Sequence, residues 1–263
     1  MRHDEALLPG ALREILGGIP RMALAFSGGV DSRFLAFAAR LAGCEVRLFH
    51  AEGPHLAPQD TGFAKSWATK NAFPLERLTY DPLDIPEIAR NGHQRCYACK
   101  KELLRRIKCR IGESPHQWQF CDGTQADDLL AHRPGQVALS EEGVMSPLAL
   151  AGMDKAQIRQ VASSIGLERP GQKASPCLLT RIAYGLRPQT ELLQRLAVCE
   201  GQLLDILPAH VEVRLRLTPR PLLQLTEPPG ELAPKALKIL AENGFDNVEI
   251  LVGDNISGFF DRR

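Results

Sequence analysis

The sequence has no excess of charge of either sign. Its 263 residues include 32 Lys and Arg against 31 Asp and Glu, which gives a formal net charge of +1. A protein that clamps a long nucleic acid usually carries a basic excess, and none is present. Nucleic acid is therefore disfavoured as a partner.

Long apolar runs are also missing. No stretch approaches the roughly 18 to 20 apolar residues that span a bilayer, and Asp4 and Glu5 stand where a signal peptide would need a basic start and an apolar run. We therefore expect a cytoplasmic protein with no membrane partner. In that reducing compartment its seven cysteines should be core thiols, nucleophiles or metal ligands before they are disulfides.

Strand-like and helix-like segments alternate in the first half of the chain. Helical patterns at 32–41, 60–70 and 96–108 separate short apolar strands at 21–26, 45–49, 75–79 and 117–121. We expect Asp31 or Ser32 to cap the first of these helices. The alternation predicts an α/β fold with a parallel sheet, whose ligands bind at the carboxyl ends of the strands.

The second half follows a different pattern. A helix at 154–165, with Asp154 as its N-cap, leads into a loop at 167–188 that is rich in proline and glycine. Helices at 190–207 and 234–243 and strands at 211–217, 222–225 and 247–252 come after it. We therefore predict an α/β domain at 1–185 and a small α+β domain at 186–263 that serves substrate binding or oligomerisation. A homo-oligomer is expected.

The strongest motif is Ser27-Gly28-Gly29-Val30-Asp31-Ser32, which lies between a predicted strand and a predicted helix. Its glycines let the backbone approach an anion, and its N–H groups and serine hydroxyls supply donors. Asp31 suits such a site if Mg²⁺ lies beside it or if it caps the helix. Neither the Walker A pattern nor the dinucleotide pattern fits. The motif predicts a pyrophosphate cradle, with a plain glycine turn as the alternative.

Three cysteines form a candidate metal set. Cys96 and Cys99 are spaced i, i+3 at the head of a helix, and Cys177 lies in the long loop. Three thiolates suit a [4Fe–4S] cluster with one open iron, or Zn²⁺ completed by His93 or water; three unrelated thiols are the alternative. The other four cysteines lie in apolar or helical patterns and are expected to be core or surface thiols: Cys44, Cys109, Cys121 and Cys199.

Several polar residues are further candidates. Asp122, Gly123 and Thr124 follow a predicted strand, where they can contact a nucleotide or form a simple turn. Asp127 and Asp128 can support Mg²⁺ or cap a helix. Arg181 can pair with a phosphate or carboxylate. In the alternating segment 211–217, Arg214 and Arg216 share one face of the strand with Glu212. This face is either exposed to solvent or contacts a substrate phosphate through its arginines.

The motif resembles the PP-loop of the N-type ATP pyrophosphatases. Further segments, in order, are similar to the LarE family of ATP-dependent sulfur transferases: RCYACKK, CDGTQADD, HRPG, EEGVMSPL and KASPCLLTRIAYG. The similarity runs from residue 21 to about residue 185 and continues more weakly to about residue 258. Met145 and the tail at 257–261 depart from the family pattern.

The resemblance implies a PP-loop ATP pyrophosphatase fold, which is like that of the adenine nucleotide α hydrolases. It implies that Ser27, Gly28, Gly29 and Ser32 hold the phosphates of ATP and that Asp31 helps to place Mg²⁺. The family adenylates the carboxylates of a pyridinium mononucleotide and converts them into thiocarboxylates, a reaction in making the nickel-pincer nucleotide cofactor. The expected partner is therefore a small carboxylated nucleotide.

Two sulfur sources occur in proteins of this kind. In one, Cys96, Cys99 and Cys177 hold a [4Fe–4S] cluster that carries an extra sulfide, and we expect that type here because all three are present. In the other, Cys177 gives up its own sulfur. The residues near the substrate or metal are expected to be Arg181, Glu200, Arg214 and Arg216. A tRNA thiolase, an amidating synthetase and a nucleotide-binding or zinc-stabilised adaptor are the alternative functions.

Overall fold

The computed structural model describes residues 7–112, 117–130, 134–253, 256 and 258–261. Part of the HRPG segment and Ser257 of the tail lie outside these residues. The chain divides into two compact units. The first contains Met1–Glu52, Asp60–Tyr80 and Cys96–Ser175, and the second contains Gly53–Gln59, Asp81–Arg95 and Pro176–Arg263. The division into independent domains at residue 185 stays a prediction.

The first unit is built on a parallel sheet. Its strands are β1 (Arg21–Ala25), β2 (Glu45–Glu52), β3 (Leu75–Thr79) and β4 (Gln119–Asp122). Their order is β3-β2-β1-β4, and every neighbouring pair is parallel. The backbone of Met145 extends the sheet beside β4 through a single bridge to Cys121. The predicted α/β class with a parallel sheet is confirmed.

Helices connect these strands. In chain order they are α1 (Gly10–Gly17), α2 (Val30–Leu41), α3 (Pro58–Lys70), α4 (Pro86–Ala89), α5 (Arg95–Ile111), α6 (Ala126–Leu130), α7 (Pro134–Glu141), α8 (Pro147–Leu150) and α9 (Lys155–Ser164). Asp154 caps α9 through a capping box with Gln157, as its position in the sequence predicts. No helix in the described ranges is long and apolar enough to cross a membrane.

Both faces of the parallel sheet are buried. Met22 and Leu24 of β1 belong to one apolar cluster, and Ala23, between them, belongs to another with Phe49 and Phe120. Successive side chains of a strand point to opposite faces, so the side chains of Arg21–Ala25 pack into two cores, one on each side of the sheet. Because both sides are buried, apolar residues follow one another in this strand and do not alternate with polar ones.

The second unit has its own small sheet. After a 3₁₀ turn at Leu178–Arg181, its elements are α10 (Thr190–Ile206), β5 (Val213–Arg216), β6 (Leu222–Leu225), α11 (Ala233–Glu242) and β7 (Glu249–Val252). β5 and β6 are antiparallel, and β6 and β7 are parallel. These elements confirm a smaller α+β assembly in the C-terminal part of the chain.

The structure corrects two local predictions. Helix α2 begins at Val30 with Gly29 at its N-cap, and no side chain caps it, so the expected cap by Asp31 or Ser32 is wrong. The sequence pattern also missed α1 and the short helices between β4 and α9. The short helices span only one or two turns, which is too little sequence for an apolar periodicity to be recognised.

A substitution at Gly28 tests how closely the loop after β1 packs against α3. It has φ +80°, and a Cβ built on it would lie 2.7 Å from the Cβ of Ala64 in α3. Replacing Gly28 by Ala should lower the free energy of unfolding by about 1–3 kcal/mol, because it adds strain and overpacking. The measurement is urea unfolding.

Gly62 of α3 is the matched control. A Cβ at this position meets nothing within 4 Å, so Gly62→Ala should stabilise the helix by about 0.5–1 kcal/mol. Equal stability of Gly28→Ala and the wild type would contradict the tight contact with Ala64.

Candidate functional site

The glycine loop lies where a parallel α/β sheet binds its ligands. Strands β2 and β3 lie on one side of β1 and β4 lies on the other, so the direction of winding reverses between β1 and β4. Ala25, the last residue of β1, is in register with Asp122, the last residue of β4. Ligands of such sheets bind at this reversal, outside the carboxyl ends of the strands.

The loop is organised by its own hydroxyl and backbone groups. The Ser27 and Ser32 hydroxyl oxygens are 3.2 Å apart, the Gly29 N–H donates to Ser27 Oγ at 3.2 Å, and Ser32 Oγ donates to the Gly29 carbonyl at 3.1 Å. The two hydroxyls therefore meet at the start of α2. The N-terminus of this helix concentrates N–H groups and partial positive charge, which is an arrangement that binds anions.

Gly123 keeps the approach to this helix start open. A Cβ on Gly123 would lie 3.0 Å from the backbone nitrogen of Ser32 and 3.2 Å from its Cα. The turn after β4 and the loop after β1 are thus in close contact, as their positions after neighbouring strands predict. Any residue larger than glycine would fill the space above the first turn of α2.

Asp122 is buried at the same edge and is fully engaged. Its carboxylate accepts hydrogen bonds from Lys100 Nζ at 3.1 Å, from the Thr124 hydroxyl at 2.6 Å and from the Ser146 hydroxyl at 2.7 Å. This network holds the turn at 122–124 in shape. Asp122 therefore shapes the turn, while Gly123 lies against the first turn of α2.

Asp31 forms an ion pair that the sequence did not suggest. Both of its carboxylate oxygens accept hydrogen bonds from Lys155 Nζ, at 2.5 and 2.7 Å. Lys155 is the first residue of α9, and its backbone N–H donates to Asp127 at 3.0 Å. The side chain of Asp128 accepts from the Gln125 N–H at the start of α6. A lysine is therefore placed beside the glycine loop.

Arg33 is a second residue that sequence reasoning missed. It lies on α2 directly after the motif and is completely buried. A signal for it exists in the sequence, because Arg33 is spaced i+3 from Val30 and i−4 from Phe37, on the apolar stripe of the helix. A charged side chain on a buried stripe requires partners.

Cys96 and Cys99 lie in the first turn of α5, as the sequence predicts. Cys96 is exposed, Cys99 is half-buried, and the Tyr80 hydroxyl is 3.8 Å from Cys99 Sγ. Lys101, two residues after Cys99 on the same helix, binds Glu141 at 2.6 Å. The two cysteines belong to the first unit.

Cys177 belongs to the second unit and begins the 3₁₀ turn at 178–181. It is half-buried, and its carbonyl accepts hydrogen bonds from the Thr180 N–H at 3.0 Å and the Thr180 hydroxyl at 2.8 Å. Its backbone is therefore fixed by the turn that follows it. Among the described residues, no group of three or more His, Cys, Asp or Glu side chains is assembled that could hold a metal ion.

Arg181 and Glu200 form a buried ion pair. Arg181 donates from Nε and Nη2 to the two oxygens of Glu200, both at 2.9 Å, and Glu200 also accepts from the Leu215 N–H at 2.8 Å. The remaining nitrogen of Arg181, Nη1, donates to the Pro176 carbonyl at 2.9 Å and lies 3.4 Å from the carbonyl oxygen of Cys177. Arg181 thus holds the backbone around Cys177.

Arg214 and Arg216 are buried on β5, so the interpretation of a solvated outer face is wrong. Arg216 donates to the Thr180 carbonyl at 3.0 Å, to Gln224 at 3.1 Å and to the Ile256 carbonyl. Its guanidinium also lies 5.3 Å from the ring centre of Phe259. Alternation correctly predicts which residues share a face, but residues from the C-terminal tail cover that face.

The four cysteines without a predicted role behave as expected. Cys44, Cys121 and Cys199 are buried and Cys109 is exposed, and none of the seven cysteines forms a disulfide. Burial raises the pKa of Cys44 to about 11 and that of Cys199 to about 12, and it also raises the pKa of Cys121. These buried thiols are poor nucleophiles at neutral pH.

His93, the alternative zinc ligand, is exposed and packs its ring against Tyr184, with ring centres 4.1 Å apart. His93 belongs to the second unit together with Tyr184.

No family model matches the chain. It is 32% identical over 209 residues to an uncharacterized protein of Synechocystis sp., covering 78% of this chain and 76% of the relative. It is 28% identical over 200 residues to an uncharacterized protein of Methanocaldococcus jannaschii, covering 74% of this chain and 73% of the relative.

A third relative carries a functional name. The pyridinium-3,5-bisthiocarboxylic acid mononucleotide synthase of Lactiplantibacillus plantarum is 29% identical over 183 residues, which cover 69% of this chain and 64% of that enzyme. Similarity to this synthase agrees with the motifs read from the sequence. The chain belongs to the same protein family as the Synechocystis protein, with which it aligns over about three quarters of its length, and its similarity to the named synthase identifies it as a member of the LarE family.

Proposed function

We propose that the chain is an ATP-dependent sulfur transferase that converts a carboxylate of a pyridinium mononucleotide into a thiocarboxylate. The observation that carries the proposal is the glycine loop at the winding reversal of the sheet, in a chain related to a named synthase of bisthiocarboxylic mononucleotide. The substrate is a small carboxylated nucleotide. The reduced state of all seven cysteines suits the cytoplasm, where we place the enzyme.

The glycine loop suits the phosphates of ATP. The hydroxyls of Ser27 and Ser32 meet at the start of α2, and Gly123 leaves the backbone nitrogen of Ser32 approachable. The N–H groups of the helix start supply positive charge without a basic side chain. Lys155 supplies a cation next to the loop, where its ammonium group is paired with Asp31.

Asp31 also suits Mg²⁺. Magnesium is usually held by one or two carboxylates together with substrate phosphates, and it does not require a cage of protein ligands. When nucleotide is bound, Mg²⁺ supplies Lewis acidity at the phosphates. Asp31 would hold the ion, and Lys155 would exchange its carboxylate partner for a phosphate oxygen.

The proposed reaction has two displacements. A substrate carboxylate oxygen attacks the α-phosphorus of ATP, the bond between the α and β phosphates breaks, and pyrophosphate leaves with the bonding electrons. A sulfur nucleophile then attacks the carbonyl carbon of the acyl adenylate. AMP leaves with the acyl oxygen, and the sulfur remains on the carbon. Donors of the glycine loop stabilise charge on the departing pyrophosphate.

Cys177 is the proposed residue at the sulfur step. It lies at the start of a turn whose backbone is held by Arg181, so its position is well defined. We propose that Cys96, Cys99 and Cys177 hold a [4Fe–4S] cluster that carries the transferred sulfide. Three thiols that are exposed or half-buried have suitable donor chemistry for iron. The described residues form no metal group, so the cluster requires a direct assay.

Product analysis tests the function. With ATP, Mg²⁺ and a carboxylated pyridinium mononucleotide, the wild type should release AMP and pyrophosphate and give a product with the mass of an oxygen-to-sulfur exchange. Cys177→Ala should lose at least about 100-fold of product formation, because the second displacement lacks its sulfur group. Cys109→Ala, which removes another accessible thiol, is the control and should keep full activity. Full turnover by Cys177→Ala would contradict the proposal.

Metal analysis distinguishes the sulfur sources. Anaerobically purified wild type should contain about four irons per chain with matching acid-labile sulfide. Cys96→Ser, Cys99→Ser and Cys177→Ser should each lose most of this iron, and Cys109→Ser should keep it. If the purified protein contains stoichiometric zinc and no acid-labile sulfide, the three cysteines form a zinc site and not a [4Fe–4S] cluster. Absence of metal together with dehydroalanine at Cys177 after turnover would indicate the sacrificial route.

The Glu200–Arg181 pair generates a further prediction. Glu200→Gln leaves Arg181 buried without its counter-ion, and breaking a buried pair costs about 3–5 kcal/mol. We expect lower stability in urea and faster alkylation of Cys177, because its backbone support is loosened. Glu242→Gln removes an exposed partner of Lys238 at 3.7 Å and should change stability by less than about 0.5 kcal/mol. Unchanged stability of Glu200→Gln would contradict the role of the pair.

A further inference from the structure

Arg33 connects the glycine loop to a distant segment of the chain. Its Nε donates to the Gly28 carbonyl at 3.0 Å. Its terminal nitrogens donate to the Glu168 carbonyl, to the Arg169 carbonyl at 3.2 Å and to the Gln172 side chain at 2.5 Å. A single guanidinium therefore binds the glycine loop and the segment at 168–172, and both belong to the first unit.

The charge of Arg33 is retained in the core. Burial lowers its pKa to about 10, which still leaves it protonated at neutral pH. The guanidinium also lies 5.0 Å from the ring centre of Phe63 and 5.9 Å from that of Trp67. Four hydrogen bonds and two aromatic faces thus compensate for its desolvation. Because the cation is held between the glycine loop and the segment at 168–172, these two parts of the chain cannot separate without exposing a buried charge.

The hydrogen bond to Gly28 sets the orientation of a peptide group in the loop. In a trans peptide the carbonyl and the following N–H point in opposite directions. The Gly28 carbonyl points towards Arg33, and the Gly29 N–H points towards the hydroxyl of Ser27. Two glycines alone would permit this group to rotate and present its carbonyl oxygen to an anion. Arg33 holds the N–H on the anion side.

The segment at 168–172 leads along the chain to the predicted sulfur residue. Two of its carbonyls and the side chain of Gln172 accept hydrogen bonds from Arg33, and Arg169 adopts a left-handed φ of +50°. Four residues separate Gln172 from Cys177, and Ser175 in this stretch binds Asp60 at 2.5 Å. Order in the segment therefore limits the conformations open to the chain before Cys177.

We propose that Arg33 is a positioning residue that couples phosphate binding at the glycine loop to order in the segment at 168–172. The inference rests on the proposed binding of ATP at this loop. A bound phosphate fixes the Gly28–Gly29 peptide in the orientation that Arg33 holds, and so strengthens the hold of Arg33 on the segment. By linkage, order in the segment strengthens nucleotide binding by the same factor.

Hydrogen exchange on the full chain tests this coupling. We use Mg²⁺ and α,β-methylene-ATP, whose bond between the α and β phosphates resists cleavage, and we measure its affinity separately by calorimetry. In the wild type the nucleotide should slow exchange at 26–33 and at 168–175. In Arg33→Lys we expect affinity to fall about tenfold and, at saturating nucleotide, the added protection at 168–175 to disappear. One ammonium group cannot replace four directed hydrogen bonds.

Two further variants sharpen the result. Gln172→Ala removes only the half-buried acceptor of one Arg33 hydrogen bond. The nucleotide-dependent protection at 168–175 should fall by about half in this variant. It therefore tests the coupling even if Arg33→Lys fails to fold. Arg40→Lys is the control on the same helix, because Arg40 binds the Asn71 carbonyl and the ring of Phe73 but not the glycine loop. It should behave as the wild type.

The outcomes separate the inference from the proposed function. Wild-type protection at 168–175 in Gln172→Ala, and in Arg33→Lys where it folds, would overturn the coupling while leaving ATP binding intact. Failure of the wild type to bind the nucleotide would overturn both. Loss of protection at 168–175 with protection at 26–33 retained would establish Arg33 as the connection between the two.

Discussion

The site in the first unit depends on two close approaches that only a residue without a side chain permits. Gly28 lies against Ala64 of α3, and Gly123 lies against the first turn of α2. These two contacts bring a loop, a helix start and the end of a neighbouring strand to one point of the sheet. The reversal of winding between β1 and β4 then leaves this point open to a ligand. Serine hydroxyls and N–H groups can act on an anion there only because the glycines permit this approach.

Buried arginines hold the loops on which function is proposed to depend. Arg33 holds the glycine loop through the Gly28 carbonyl, and Arg181 holds the turn of Cys177 through the Pro176 carbonyl. A guanidinium suits this task because it presents several donors in a fixed plane, so one residue can orient two or three carbonyl groups. Each arginine lies within one unit and fixes the backbone of that unit. The backbone of each loop therefore has a defined shape.

Local pattern in the sequence predicted the parts of the fold that depend on local chemistry. The bounds of β3 and β6 agree with the apolar runs, Asp154 caps α9, and the glycine motif lies between β1 and α2. Long-range partners could not be predicted, because nothing near Asp31 in the sequence indicates Lys155, 124 residues away. For β5 the alternation correctly assigned the faces. The alternation could not indicate that the C-terminal tail covers Arg216, because the sequence of a strand does not show which other segment packs on its face.

The buried arginines reduce the positive charge that the chain can offer to a polyanion. Arg33, Arg181 and Arg216 bind carbonyl and side-chain oxygens inside the protein, so their positive charge is satisfied internally. A polyanion is usually bound by many exposed cations that release its counter-ions. At the glycine loop the donors are N–H groups, two hydroxyls and Lys155, which is enough for one triphosphate and gives no extended track. The way in which the chain distributes its charges therefore favours a small phosphorylated substrate over a nucleic acid.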